Sequence, residues 1–211
     1  MTKRYLTSVA LTALFTIAAS ASAQSIRVAV GPDSKLWVEG GSNLHDWSCK
    51  ASAIDAAIEV DETFLRSTTV SPTFLKKVEV KVPVRNLKCG NGKMDNNLYK
   101  ALKADDTPEI SYILATFEVG PAAKDSFTVK AVGALRIAGT EKTVNMEVNS
   151  TRLADGSIRA EGSLPLLMTD FGVKPPTALL GTLRTDNKVT VKFSLLVGPQ
   201  ALTAALSGDP R

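Results

Sequence analysis

The chain carries one histidine, His45, and two cysteines, Cys49 and Cys89, among 211 residues. One imidazole excludes a multi-histidine metal centre, and two thiols exclude a four-cysteine zinc site. A Ser-His-Asp triad would have to pass through His45. Its neighbour Asp46 points to the opposite face if both lie on one strand, so it is badly placed to orient the ring. There is no Gly-x-Ser-x-Gly elbow, Walker loop or Gly-x-Gly-x-x-Gly fingerprint. The adjacent acids Asp61-Glu62 and Asp105-Asp106 read as solvated surface rather than as a glycosidase pair. Asp170-Phe171-Gly172 has the letters of a kinase metal-binding triplet without the Gly-rich and catalytic loops that triplet works with. These gaps predict a protein that is not an enzyme and uses no metal or cofactor.

Charge of one sign is also scarce. The formal net charge of +4 includes Lys3 and Arg4. Without them 23 basic and 21 acidic groups remain, a net charge of +2, and no basic run exceeds two residues. A nucleic-acid binder concentrates basic residues on one face, so nucleic acid is not an expected partner. The chain is 44% hydrophobic and 22% charged, the balance of one globular domain.

The apolar residues are arranged in two ways. At the N-terminus, Lys3 and Arg4 precede a fourteen-residue apolar run from Leu6 to Ala19, and Ala21-Ser22-Ala23 is a small-x-small cleavage site. Residues 1–23 therefore read as a secretory signal peptide. The run is shorter than the ~20 residues a membrane helix needs, so no stable membrane span is expected. Export predicts a periplasmic or secreted protein in an oxidising compartment. There Cys49 and Cys89 either form a disulfide or remain as two buried thiols. A disulfide would close a loop of 41 residues, which the chain-entropy model values at about 4 kcal/mol.

Elsewhere the pattern has period two. Val78, Val80, Val82 and Val84 alternate with Lys77, Glu79, Lys81 and Pro83, which gives one dry and one wet face. Val189 to Val197 repeats the pattern. Strands are also expected near 36–38, 47–51, 54–60, 110–119, 127–137, 143–148 and 158–168, eight or nine in all. Within 110–119, Ile113 and Phe117 fall on the wrong alternation, so a bulge is expected there. Asp155-Gly156 reads as a hairpin turn, with Ala138-Gly139 and Asp186-Asn187 as weaker versions. Short connections at regular spacing favour an all-β antiparallel sandwich or barrel. One segment departs from this rhythm. Asp95 is a good N-cap type before Leu98, Ala101 and Leu102, which predicts one short helix over 95–103, ended by Thr107-Pro108. That helix either covers an open barrel end or packs outside a sandwich. The tail from Pro199 reads as loose.

Three motifs then occur in order. Met94-Asp95-x-x-Leu98 to Leu102 leads into Pro108-x-Ile110-x-Tyr112. Gly133-x-Leu135-x-Ile137-x-Gly139-x-x-Lys142 follows, and then Thr169-Asp170-Phe171-Gly172-Val173. Together they resemble the signatures of the YceI-like family across about residues 25–198. This chain differs from the family pattern at Ala101-Leu102, Ala138, Glu141 and Met168. The resemblance implies a lipocalin-like antiparallel β-barrel of about eight strands over residues 24–198. It implies an exported protein that holds an apolar small molecule, an isoprenoid or a fatty-acyl chain. Related barrels are often dimers, so the resemblance also allows a homodimer.

On this reading the lumen would be lined from the strands by Val80, Val82, Ile110, Tyr112, Leu135, Met146 and Leu166. The helix would contribute Leu98 and Leu102, and the following turn Met168 and Phe171. The same residues would also serve as plain core, because periodicity does not separate a filled barrel from a hollow one. A filled barrel would be an envelope interaction module, with its contacts near Val173-Lys174-Pro175-Pro176-Thr177.

Overall fold

The computed structural model describes residues 25–67, 69–178 and 181–198. The expected signal segment (1–23) and tail (199–211) lie outside the described residues. In chain order the strands are β1 (Ser25–Val30), β2 (Lys35–Ser42), β3 (Trp47–Ala51), β4 (Asp55–Asp61), β5 (Leu75–Pro83), β6 (Leu87–Lys88), β7 (Glu109–Ala122), β8 (Ser126–Ile137), β9 (Thr140–Arg152), β10 (Ile158–Leu167), β11 (Thr177–Ala178) and β12 (Leu183–Gly198). Helix α1 (Glu62–Arg66) follows β4, and helix α2 (Gly92–Ala101) follows β6.

The first six strands are three bent staves. β1 pairs with β4 from Ser25↔Asp61 to Val28↔Ile58, and β2 pairs with β3 from Trp37↔Lys50 to Gly40↔Trp47. The two ladders continue with a one-residue slip, so β1–β2 and β3–β4 form a single long hairpin. β5 and β6 likewise both pair with the β3–β4 stave, on either side of a 3-10 turn at Val84–Asn86. β7 to β10 follow in order, and β12 closes the ring against β10 on one edge and against β1 and β2 on the other. The result is a closed antiparallel barrel of eight staves, which leaves no long free strand edge.

Inward positions are apolar and outward positions polar, as the period of two requires. On the outer face of β5, Lys77 and Lys81 each lie 3.2 Å from Glu79. A barrel that spans a membrane places its apolar side chains outward instead. Among the described residues, no helix is long and apolar enough to cross a membrane.

Two turns show their causes clearly. Ala138 and Gly139 have φ of 49° and 84°, the two positive values of a type I′ turn, and they connect Ile137 directly to Thr140. At 155–156, Asp155 accepts hydrogen bonds from the N–H and hydroxyl of Ser157, and Gly156 takes φ 82°. The bulge in β7 lies between Leu114 and Thr116. It moves Phe117 and Val119 onto the inward face of Ile110, Tyr112 and Leu114.

Three expectations need correction, and two elements that close one end were not expected. Helix α2 begins at Gly92, not Asp95, because Asn91 is the cap and accepts from the N–H groups of Lys93 and Met94. Asp95 instead accepts from the N–H of Cys89 at 2.7 Å. Asp186-Asn187 is not a turn. It lies inside β12, where the register against β2 shifts, and Asn187 exchanges hydrogen bonds with Thr169. Asp61 is buried rather than solvated, because it caps α1 by accepting from the N–H and hydroxyl of Thr63. Finally, β1 and α1 carried no expectation at all, although both are needed to close one end.

Candidate functional site

The barrel encloses a cavity of about 490 Å³, within the range of about 300–1,000 Å³ typical of ligand pockets. Its two ends are built differently. At one end α1 and the strands around it bring four phenylalanines together. Phe64 stacks on Phe74 with ring centroids 4.2 Å apart, and Phe117 and Phe127 meet them edge-on. Arg152 donates to the carbonyl of Phe64 and lies over its ring, which fixes α1 on the barrel. The aromatic cluster forms a floor.

The other end is covered by α2 and by the Met168–Phe171 3-10 turn. Tyr99 anchors α2: its hydroxyl accepts from Lys88 and donates toward the carbonyls of Arg85 and Leu87. The Thr107 hydroxyl donates to the carbonyls of Leu102 and Lys103 at the helix end, and the Lys103 carbonyl also accepts from the N–H groups of Asp106 and Thr107. Cys49 and Cys89 form a disulfide. They face each other one step beyond the Lys50↔Lys88 pair, so the bridge staples β3 to the strand that leads into α2. Gly172 takes φ 66° to end the 3-10 turn, and this directs Phe171 and Val173 into the barrel end.

Ser42, His45, Asn97, Thr177 and Thr185 form a polar mouth on the same cavity. Its loops are held by backbone. The Ser42 hydroxyl donates to the carbonyl of His45 and accepts from the N–H groups of Leu44 and His45. Asn43 bonds the carbonyl of Thr182 and both backbone groups of Arg184. The Pro175-Pro176 segment contributes Pro176 and Thr177 to this rim.

All eleven residues expected to line the lumen do lie on its wall: Val80, Val82, Leu98, Leu102, Ile110, Tyr112, Leu135, Met146, Leu166, Met168 and Phe171. Most of them sit toward the α2 end, where Val82, Leu102, Leu135 and Phe171 are buried in one apolar cluster. Met146 also packs against the second cluster, which surrounds the phenylalanine floor. The expected set missed that lower half, including Phe64, Phe74 and Phe127. Phe64 and Phe74 flank the segment after β4, where no alternation marks them. The mouth residues carry no periodic signal: His45 lies in a loop, and Ser42, Asn97, Thr177 and Thr185 are isolated polar residues near the ends of strands or on α2.

No Lys, Arg, Asp or Glu is among the described residues lining the cavity. Among its polar atoms, the Tyr112 hydroxyl is buried without a hydrogen-bond partner. Burial raises the Tyr112 pKa above the ordinary tyrosine value, so it stays neutral. No group of three or more His, Cys, Asp or Glu among the described residues could hold a metal ion. The arrangement favours uncharged, apolar occupants.

Comparison with known proteins gives a consistent picture. The YceI-like domain model matches residues 37–197. BcnA of Burkholderia cenocepacia has a similar structure, with a TM-score of 0.60 at 16% identity over 77% of this chain and 95% of that one. A polyisoprenoid binding domain from Saccharophagus degradans, implicated in plant cell wall breakdown, gives 0.58 at 11% identity over 81% and 96%. The YceI protein of Campylobacter jejuni gives 0.53 at 18% identity over 70% and 82%. At such identities the likeness is one of fold. Among curated proteins, none matches this chain.

Proposed function

This chain belongs to the YceI-like domain family, and from that membership we propose that it is an exported protein that carries or sequesters an apolar chain inside its barrel. An isoprenoid is the first candidate, since a structural neighbour is a polyisoprenoid binding domain. The observation that carries the reading is the hollow, uncharged lumen of about 490 Å³. Unfilled apolar space costs about 24 cal/mol per Å³ of lost packing. An unoccupied lumen leaves much of its apolar wall without packing partners. A barrel meant to be solid would fill that space with side chains. An entering chain recovers packing and buries its methylenes at ~0.8 kcal/mol each.

Export is supported by the signal-like pattern of residues 1–23 and by the disulfide, which persists in oxidising compartments. The alternative is a barrel that acts as an envelope interaction module without a ligand, and one experiment separates the two.

The test is to express the full chain with export, purify the processed protein without detergent, and compare native mass spectra with a solvent extract. A reproducible added mass that partitions into the extract is the expected result. A bare chain mass, with no uptake of added isoprenoids or fatty acids, would overturn the reading.

A further inference from the structure

Eight staves make an interior about wide enough for side chains to fill, so inward aromatic residues in the middle of such a barrel would normally block it. Three inward aromatics here do not. Each has an inward glycine beside it on the neighbouring strand. Phe193 pairs directly with Gly162, and a Cβ on Gly162 would lie 2.5 Å from its ring. Trp47 pairs directly with Gly40, where a Cβ would come into collision with the indole. Tyr112 lies diagonally across from Gly133, where a Cβ would fall 2.5 Å from its Cζ and Oη. In each case the ring occupies the space that any larger residue would need.

We infer that Gly40, Gly133 and Gly162 are specificity-determining residues. They let Trp47, Tyr112 and Phe193 lie flat along the wall, and this sets the lumen wide enough for a methyl-branched chain. A Cβ at these positions turns the ring inward and leaves room only for a straight chain. The backbone conformation of these glycines is not the reason for them, since none of the three has a positive φ. What is needed is the missing Cβ. Aromatic residues packed over strand glycines also stabilise sheets in general, so stability alone does not test the proposal. Chain selectivity does.

Gly162→Ala and Gly40→Ala are the cleanest variants, because the contacts under 3 Å at both sites are with the aromatic ring alone, although the Glu147 carbonyl is 3.1 Å from the added Cβ at Gly162. At Gly133 the carbonyl of Ile113 is also 2.5 Å from the added Cβ, so the backbone would have to move as well. The inference rests on the lumen being the binding site. The probes are farnesol and dodecanol, two neutral alcohols with main chains of equal length, one methyl-branched and one straight. A methyl group in an apolar pocket is worth about 10–200-fold in discrimination.

Wild type should take up both alcohols. Gly162→Ala should weaken farnesol binding at least about tenfold more than dodecanol binding. Adding Phe193→Leu to Gly162→Ala should restore farnesol uptake, because the smaller side chain clears the lumen. If a folded Gly162→Ala protein binds both alcohols unchanged, or loses both equally, the inference is wrong. If the alanine variant fails to fold, the double variant is read instead. Folding with farnesol uptake supports the inference, and failure to fold overturns it. Uptake of neither alcohol by wild type would defeat the carrier reading itself.

Discussion

Replacing both Cys49 and Cys89 with alanine should cost this barrel a large share of its stability. The bridge closes a 41-residue loop that contains β4, α1, β5 and β6. In the chain-entropy model a loop of that length contributes about 4 kcal/mol, by restricting the unfolded chain. For a domain of this size each kcal/mol moves the melting temperature by roughly 2–4 °C, so the expected fall is about 8–16 °C. The assay is a circular-dichroism melt of three samples: oxidised wild type, wild type with a phosphine reductant, and the double alanine variant. The last two should melt together, because they lack the same cross-link. A second effect should be local. Gly92, the first residue of α2, lies three residues after Cys89, and Asp95 binds the Cys89 N–H. Amide exchange in α2 should therefore rise before exchange in β7 to β10 does. A double variant that melts with oxidised wild type would refute the reasoning, since the cross-link would then constrain nothing that the unfolded chain samples.

Three other predictions follow from single side chains. Leu102→Trp places an indole where a buried leucine closes the α2 end of the cavity. It should reduce uptake of an apolar fluorescent probe while the circular-dichroism spectrum stays native, and full uptake would count against a lumen at that end. The Thr63 hydroxyl and N–H hold the Asp61 carboxyl below its ordinary pKa. A depressed pKa stabilises the fold above the unfolded-state value, and this contribution is lost as pH falls through the folded-state value. Asp61→Asn should therefore flatten the acid limb of the stability profile below about pH 4, and unchanged curvature would show that the cap is not linked to folding. Gly139→Ala forces a side chain into φ 84° at the β8–β9 turn, and chemical denaturation should show a loss of about 1–2 kcal/mol.

How much was legible in the sequence follows from which signals are local. The alternation of Val78 to Val84 identified β5 and its inward face, because side-chain direction in a strand depends only on parity. The wrong alternation of Phe117 revealed the β7 bulge for the same reason, whereas Ile113 precedes the bulge and is an exposed outward residue. Ala138-Gly139 and Asp155-Gly156 were readable because the turn conformation is built into two or three residues. Asn91 was overlooked as the α2 cap because Asp95, four residues on, is an equally good cap type. Only the fold shows that Asp95 is committed to the Cys89 N–H.

Composition, period two and the thiol count were therefore enough to determine an all-β domain with apolar inward strands and no visible catalytic set. Three motifs in order added the family resemblance. What the tertiary structure alone decided is that the barrel is hollow. Inward alternation is the same whether side chains meet in the middle or stop short, so no pattern along the chain distinguishes a core from a lumen. That difference depends on distances between staves far apart in sequence. It also depends on neighbours such as Gly162 and Phe193, which closure of the sheet places side by side and which let a large ring lie along the wall instead of across the space.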